Sequence, residues 1–405
     1  MALSSTSKQY IAYVTVSNLG FFVFQSYYIF YLRESGLSFT DISIIFAANF
    51  IALALICLYA GNFADRNGRK KAIVFGTIIN IVGFAIYGLS SSFWPFLLAE
   101  VVLAGATALI NAGLEAWYMD ALKATGTTGD MKRVLPLTSG ASNVLGIAGG
   151  VMGSFLAAVA LNLPMLAGAA IIAIPLFVSI TMFKENYGDR TVGYGTQLRA
   201  SLSFFKRSKA LKSLVSGEML RSCALIVWAI IYQPYLVSVG LGADYLGVYF
   251  SLLMVSMAIG GLLSVRVAAK VGRHRLLVIS ALLLVFAYGA MPFLQNYILV
   301  GALFLVTGFS QGLGSPSIMI WRNTLTPSKI RASTIAVIMA LTNTAMAVMT
   351  LGLGPLIDAT TMQSAMYVGV AFAASSIPFY FIANKWSLRV KDELACDDLP
   401  KGQAM

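Results

Sequence analysis

Gly61-Asn62-Phe63-Ala64-Asp65-Arg66-Asn67-Gly68-Arg69-Lys70-Lys71 is a short, basic stretch between two long apolar runs, residues 40–63 and 72–90. Each run is close to the roughly 20 apolar residues needed to cross the hydrocarbon of a bilayer. The stretch therefore reads as a tight turn between two antiparallel membrane helices, with the two glycines permitting the reversal.

The rest of the chain repeats this pattern. Of 405 residues, 58% are hydrophobic and 11% charged, against roughly 25% charged in an average soluble domain. Twelve apolar segments qualify as spans: 10–32, 40–63, 72–90, 95–121, 134–160, 164–183, 213–238, 245–269, 276–294, 298–321, 332–357 and 364–384. The first, from Tyr10, is too long for a signal-peptide core and lacks a small-residue cleavage site, so it reads as a spanning helix.

Positive charge tests that count. Lys8, the Arg66–Lys71 turn, Lys123 to Arg133, Lys184 to Lys212, Arg266 to Arg275, Arg322 to Arg331 and the tail from Lys385 all fall on one face. Of the 28 Lys and Arg, only Arg33 and Arg221 do not. An error of one helix would destroy the asymmetry. The positive-inside rule then puts both termini in the cytoplasm, in a multi-pass protein of the plasma (inner) membrane. The net charge of +12 is accounted for by topology and anionic lipid, and no nucleic-acid partner is expected.

A shift of 204 residues aligns Tyr28 with Tyr232, Tyr31 with Tyr235, Leu32 with Leu236, Gly36 with Gly240, Leu37 with Leu241, Gly68 with Gly272 and Arg69 with Arg273. Six helices is an even offset, so the halves share an orientation about an axis along the membrane normal. The expected organisation is a six-helix bundle over 1–183, a basic cytoplasmic linker over 184–212 that is glycine-rich near Gly188, Gly193 and Gly195, a second bundle over 213–384, and a cytoplasmic tail over 385–405. The fold class is an all-α polytopic membrane protein.

Cys57, Cys223 and Cys396 lie far apart without metal or disulfide spacing, and His274 is the only histidine. No metal site, cofactor or imidazole-based catalytic triad is expected.

The opening stretch resembles the signature Gly-x-x-x-Asp-Arg-x-Gly-Arg-Lys/Arg of the major facilitator superfamily, through Gly61, Asp65, Arg66, Gly68, Arg69 and Lys70. With twelve helices and two halves, the resemblance covers nearly the whole chain. It implies that Asp65 docks on the N-terminal end of helix 11 and latches the cytoplasmic side in the outward-open state. The second copy has Ala269 where Asp65 stands, so only the first half carries the full latch. The drug/proton antiporter branch has Gly-x-x-x-Gly-Pro-x-x-Gly-Gly in helix 5. Here Gly146, Gly149, Gly150 and Gly153 are present, but Val151 replaces the proline. Those glycines equally suit close helix packing.

The resemblance places helices 1, 4, 7 and 10 around a central cavity, and polar stripes agree. In helix 4, Glu100, Thr107, Asn111, Glu115 and Tyr118 fall within roughly 60° at 100° per residue, whereas Asp120 lies opposite and suits a structural partner for Arg66, Arg69 or Arg133. Helix 7 aligns Glu218, Arg221, Trp228, Tyr232 and Tyr235. Helix 1 offers Asn18, Gln25 and Tyr28, and helix 10 offers Thr307, Gln311 and Trp321.

A charge inside a spanning helix costs at least about 2.5–3.5 kcal/mol at the bilayer centre and is usually functional. Two readings of Arg221 stand: an ion pair with Glu115 across the halves, released by protonation of Glu115, or a pair with Glu218 on its own helix. Glu100, nearer the outer end, is a second proton candidate. The reading is a monomeric, proton-coupled secondary transporter that exports small amphipathic or drug-like solutes by alternating access. An importer of a polar metabolite and a non-transporting receptor are the alternatives. No nucleophile and base pair or phosphate-binding loop points to an enzyme.

Overall fold

The computed structural model describes residues 3–187, 194–327 and 330–397. It is helical throughout the described residues, with α1 (Ser5–Gln25), α2 (Tyr28–Glu34), α3 (Phe39–Asn67), α4 (Arg69–Leu89), α5 (Phe93–Thr125), α6 (Met131–Val159) and α7 (Leu163–Met182) in the first half. The second half follows with α8 (Tyr194–Arg207), α9 (Lys209–Ser238), α10 (Leu246–Val271), α11 (Arg273–Ala290), α12 (Tyr297–Leu325), α13 (Arg331–Ala359) and α14 (Met362–Asp397). Among the described residues, 11 of these helices are long and apolar enough to cross a membrane. The remaining crossing is α1 with α2, which packs on α6 and α7.

That first crossing differs from the single helix expected over 10–32. It breaks at Ser26 and Tyr27, for a reason that lies in the other half and is described below. The expected linker contains a helix, α8, packed on α13 and α9, although Gly188 and Gly193 lie outside the described residues. The last helix runs on past residue 384 into the expected tail. The Cys396 side chain lies outside the described ones.

Capping explains the starts. Ser38 accepts from the backbone N–H of Asp41, whose carboxylate accepts from the N–H of Ser38, a reciprocal capping box that opens α3. Ser208 starts α9 and Asn296 starts α12 with the cap side chain alone accepting from the first turn. The turn between α3 and α4 is a single residue, Gly68, at φ +114°. A Cβ there would be strained and would sit 2.6 Å from the Glu185 carboxyl carbon.

The repeat is present in the backbone as well. Gly36, Gly240, Gly68 and Gly272 all have positive φ. The Tyr31 hydroxyl donates to the carbonyl of Tyr87 at 3.3 Å, and Tyr235, 204 residues on, donates to that of Met291 at 3.5 Å. Donor and acceptor are displaced by the same offset.

Within the first half α4 packs on α5, α3 on α5 and α1 on α7. Within the second α9 packs on α14, α10 on α12 and α11 on α14. The halves meet where α3 lies on α13, α6 on α10 and α2 on α9. The end bearing Asp65 and most Lys and Arg is called the basic end below, and the opposite end the neutral end.

Candidate functional site

Hydrogen bonds joining the halves cluster toward the neutral end, the deepest being that of the Ser251 hydroxyl to the Ile147 carbonyl at 2.8 Å. Asp358, in the last turn of α13, accepts from the N–H groups of Phe39 (3.1 Å) and Thr40 (2.7 Å) and from the Thr40 hydroxyl (2.7 Å). A carboxylate on the exposed N–H groups of a helix start is a favourable charge and dipole match. Arg33 lies over the Phe39 ring, 4.3 Å from its centroid. Tyr27 donates to the carbonyls of Ala243 (2.9 Å) and Asp244 (3.0 Å) in the turn after α9.

Gln233 of α9 accounts for the break in the first crossing. Its Oε1 accepts from the Phe30 N–H at 2.7 Å, and its Nε2 donates to the Ser26 carbonyl at 3.0 Å and the Gln25 carbonyl at 3.3 Å. Phe30 and Ser26 are the two ends of one ordinary i to i−4 helical bond. The amide of the opposite half is inserted into that bond and satisfies both groups, as a buried backbone requires.

Two glycines set the close approach. A Cβ on Gly150 of α6 would sit 2.3 Å from the Gly247 carbonyl of α10, and one on Gly354 of α13 would sit 2.3 Å from the Phe39 carbonyl of α3. Gly150 and Gly354 are 204 residues apart, so one position serves both contacts. The glycine series of helix 5 packs helices here: Gly146 faces Met254, Gly149 faces Phe22, and Gly153 faces Ser26.

The basic end is not joined in this way. Asp65 accepts from Arg69 Nη2 at 3.1 Å and Nε at 3.3 Å, on its own side. Arg69 is buried, bonds the Ala116 carbonyl at 2.8 Å, and pairs with Asp120, which also holds Lys123 at 3.0 Å. Asp65 does not reach α13, and Arg66 is exposed without an ion pair among the described residues. Gly61 has open space about it. Lys70 donates its ammonium to the Ile180 carbonyl (2.7 Å) and its backbone N–H to Glu185 (2.8 Å). Glu185 thus caps α4, a role the turn sequence itself does not announce.

Between the gates, α5 packs on α4 through Ala106, Ile110 and Gly113 and on α3 through Gly105. Thr107, Asn111 and Glu115 lie off both interfaces and are exposed. Asn18 of α1 donates to Ser142 of α6 at 2.6 Å. On α9, Trp228 stacks on Tyr232 with centroids 4.8 Å apart, and its indole N–H is buried without a partner. Gln25 and Gln311 are half-buried.

Several residues expected on the cavity lie elsewhere. Tyr28 is buried inside the first half, bonded to Tyr87 and Glu100. Tyr232 is buried beneath Trp228 with its hydroxyl on Gln233. Thr307 is buried and returns its hydroxyl to the Phe304 carbonyl at 2.7 Å, as a threonine in an apolar helix does. Trp321 lines a separate recess of about 1210 Å³ at the basic end of the second half, with Arg207, Arg273 and His274.

Arg221 forms a salt bridge with neither expected partner, although Glu218 lies near enough for the two charges to interact. Its guanidinium is buried in the second half, with Nε on the Ser280 hydroxyl at 3.3 Å and Nη2 on the Ser310 carbonyl at 3.0 Å. Gly314 leaves room for it, since a Cβ there would meet Nη2 at 2.7 Å. Glu218 pairs instead with Arg322 of α12 at 3.0 Å, and Glu115 has no ion pair among the described residues. Arg221 is drawn inward because hydroxyl and carbonyl acceptors from α11 and α12 surround it there.

Reasoning from sequence missed Gln233, Asp358, Asn49 and Tyr87. Asn49 and Gln233 were detectable, because each is a polar side chain within an otherwise apolar span.

Residues 218–393 match the Major Facilitator Superfamily. The chain is 22% identical over 281 residues to an uncharacterised MFS-type transporter, YxaM, of Bacillus subtilis, covering 67% of this chain and 69% of YxaM. It is 25% identical over 156 residues to Multidrug resistance protein 2 of the same organism, 38% of each chain. Among solved structures it resembles the nucleoside transporter NupG with a TM-score of 0.76 at 14% identity, over 95% of this chain and 99% of that one.

Proposed function

We propose that the chain is a multi-pass secondary transporter of the major facilitator superfamily, which its residues 218–393 match, and that it exports small amphipathic organic solutes in exchange for protons by alternating access. The supporting observation is the asymmetry of its gates. The neutral end is bolted by Asp358, Gln233, Tyr27, Gly150 and Gly354, while the Asp65 turn at the basic end is engaged only within its own half. With the basic end in the cytoplasm, as the distribution of Lys and Arg favours, this is an inward-open carrier of the plasma membrane working as a monomer.

The cavity chemistry fits such a solute. Thr107 and Asn111 offer polar contacts, and the half-buried Trp228, backed by Tyr232, offers an aromatic face. Few fixed charges face it, which suits an amphipathic molecule better than a phosphate or a bare cation. The partial likeness to Multidrug resistance protein 2 agrees with export. Val151 in place of the helix 5 proline favours the second reading, proton-coupled import of a polar metabolite. Transport in right-side-out and inverted vesicles under an imposed proton gradient separates the two by the direction of accumulation. A flux indifferent to the gradient in both orientations would refute proton coupling altogether.

A further inference from the structure

Glu100 of α5 is a buried carboxyl whose neighbours are all uncharged. Asn49 of α3 donates to Oε2 at 2.5 Å and to the Glu100 carbonyl at 3.1 Å. On the other side, Oε1 is in hydrogen-bond contact with both Tyr28 of α2 and Tyr87 of α4 (2.9 Å from the latter), and the two phenol oxygens lie 2.9 Å from each other. Three oxygens therefore form a closed triangle. No Lys, Arg or His reaches the carboxyl among the described residues, and the groups facing it are Tyr28, Tyr87 and Asn49.

The triangle can be counted in protons. It has three edges, and each edge needs one proton. With Glu100 ionised, the two phenols supply only two, and one edge is left with lone pairs facing each other in a buried site. With Glu100 protonated, each oxygen donates once and accepts once: Glu100 to Tyr28, Tyr28 to Tyr87, and Tyr87 back to Glu100. An ionised carboxylate buried without a cation would also bear an uncompensated desolvation penalty. Both considerations select the acid form in this state.

The second half shows that the scaffold does not need this cluster. At an offset of 204, Asn49, Tyr87 and Glu100 correspond to Leu253, Met291 and Phe304, all fully buried. One half packs the position with apolar side chains, while the other spends a carboxyl on it. The position is also wired to the gate. Tyr28 is the first residue of α2, and two residues on, Phe30 is held by Gln233 of the other half. A proton on Glu100 ties α2 into the first half in the register that Gln233 requires.

We propose that Glu100 is the proton-binding site of the transport cycle, holding its proton while the neutral end is closed, and that its protonation stabilises the break between α1 and α2 that Gln233 bridges. On loading, one O–H bond forms on Oε1 with a proton from water admitted while the neutral end is open, before that end closes over the site. On ionisation that O–H bond breaks and the proton passes to water on the basic side; the Tyr28–Tyr87 edge is left without a proton beside an uncompensated buried carboxylate, which destabilises the packing of α2 and favours parting of the neutral end. The proposal rests on the proton-coupled reading above and names its site.

The test needs no transported solute. Spin labels placed on α2 and α9 at the neutral end, in purified protein in lipid nanodiscs, report closure by electron–electron resonance distances as pH is varied. Wild type should move from the short to the long distance as pH rises. Glu100→Gln, which keeps the shape but cannot ionise, should hold the short distance at every pH, whereas Glu115→Gln should titrate like wild type. Should Glu100→Gln fold poorly, the triple variant N49L/Y87M/E100F installs the apolar set that already packs in the second half, and it should be equally insensitive to pH. A pH response that survives in Glu100→Gln or in the triple variant overturns Glu100 as the site while leaving proton coupling intact. A wild type with no response removes the coupling reading as well as this one.

Discussion

Asp358 and Asp65 occupy corresponding places at opposite ends of one antiparallel helix pair. Asp358 closes α13 beside the first residues of α3, and Asp65 closes α3 at the end from which α13 starts. Asp358 is engaged across the halves, while Asp65 is turned back onto Arg69. Each carboxylate can cap the partner helix only when the halves meet at its own end, so the pair can act as alternate latches.

Asp358→Ala should therefore bias the carrier toward the open neutral end. Loss of a helix cap costs about 1 kcal/mol, roughly a fivefold change in population. Spin-label distances between α3 and α13 at that end should lengthen, and Asp65→Ala should shift them the other way. A change of the same sign in both variants would rule out the alternation.

Gly354 gives a steric version of the same test. A Cβ there would sit 2.3 Å from the Phe39 carbonyl, whereas one on Gly352 meets nothing within 4 Å. Overpacking typically costs about 1–3 kcal/mol, or about 5- to 150-fold in population. Gly354→Ala should open the neutral end, and Gly352→Ala should leave the distances unchanged. Cysteine accessibility at Thr40 reads both.

Gln233→Leu removes the amide inserted between Ser26 and Phe30. In the open state those two groups can bond each other, annealing α1 to α2. The variant should lengthen the distance between α2 and α9 while the Phe30 amide stays protected from hydrogen exchange. Loss of protection at Phe30 would show that the break persists without its bridge and would count against annealing.

The two-bundle plan and the sharp turn at Gly68 were legible because both are local. Hydrophobic length sets the spans, charge sets their direction, and a glycine marks the reversal. The gates were not legible, because they depend on partners some 200–320 positions away in the chain, such as Gln233 on Ser26 and Asp358 on Thr40. The stripe of α5 sets Asp120 apart from Thr107, Asn111 and Glu115, and Asp120 meets Arg69. It could not show that Glu100 is covered by Tyr28, because Tyr28 follows a break at Ser26 and Tyr27 that helical spacing does not register. Arg221 was misplaced for a similar reason: helical spacing gives the face, but not the acceptors that Ser280 and Ser310 bring from other helices.

Arg221 should matter for stability more than for gating. Arg221→Ala leaves a void and strips Ser280 and Ser310 of a donor, at about 2–5 kcal/mol. Gly314→Ala should destabilise in the same direction by crowding the guanidinium. Thermal unfolding of the purified protein should show a large drop for both and little change for Glu115→Gln, which is exposed. An Arg221→Ala protein that unfolds like wild type but loses its pH response would return Arg221 to the coupling machinery.

Asp130, in the turn between α5 and α6, lies outside the spans. Its carboxylate accepts from the Ser4 N–H at 2.9 Å and from the Ser7 hydroxyl at 2.9 Å. The Ser4 N–H first, then the serine side chains, hold its pKa below the usual carboxylate value. A depressed folded-state pKa means that this tether is complete above the unfolded-state value of about 3.9. It weakens as pH falls through the lower folded value. Between pH 6 and 8 (roughly two or more units above that range), the wild-type N-terminus should therefore be held independently of pH. Asp130→Asn should release it at neutral pH, and trypsin should then cut faster after the exposed Lys8. Equal cleavage rates in the two proteins would show that α1 is anchored by its packing on α6 and α7 alone.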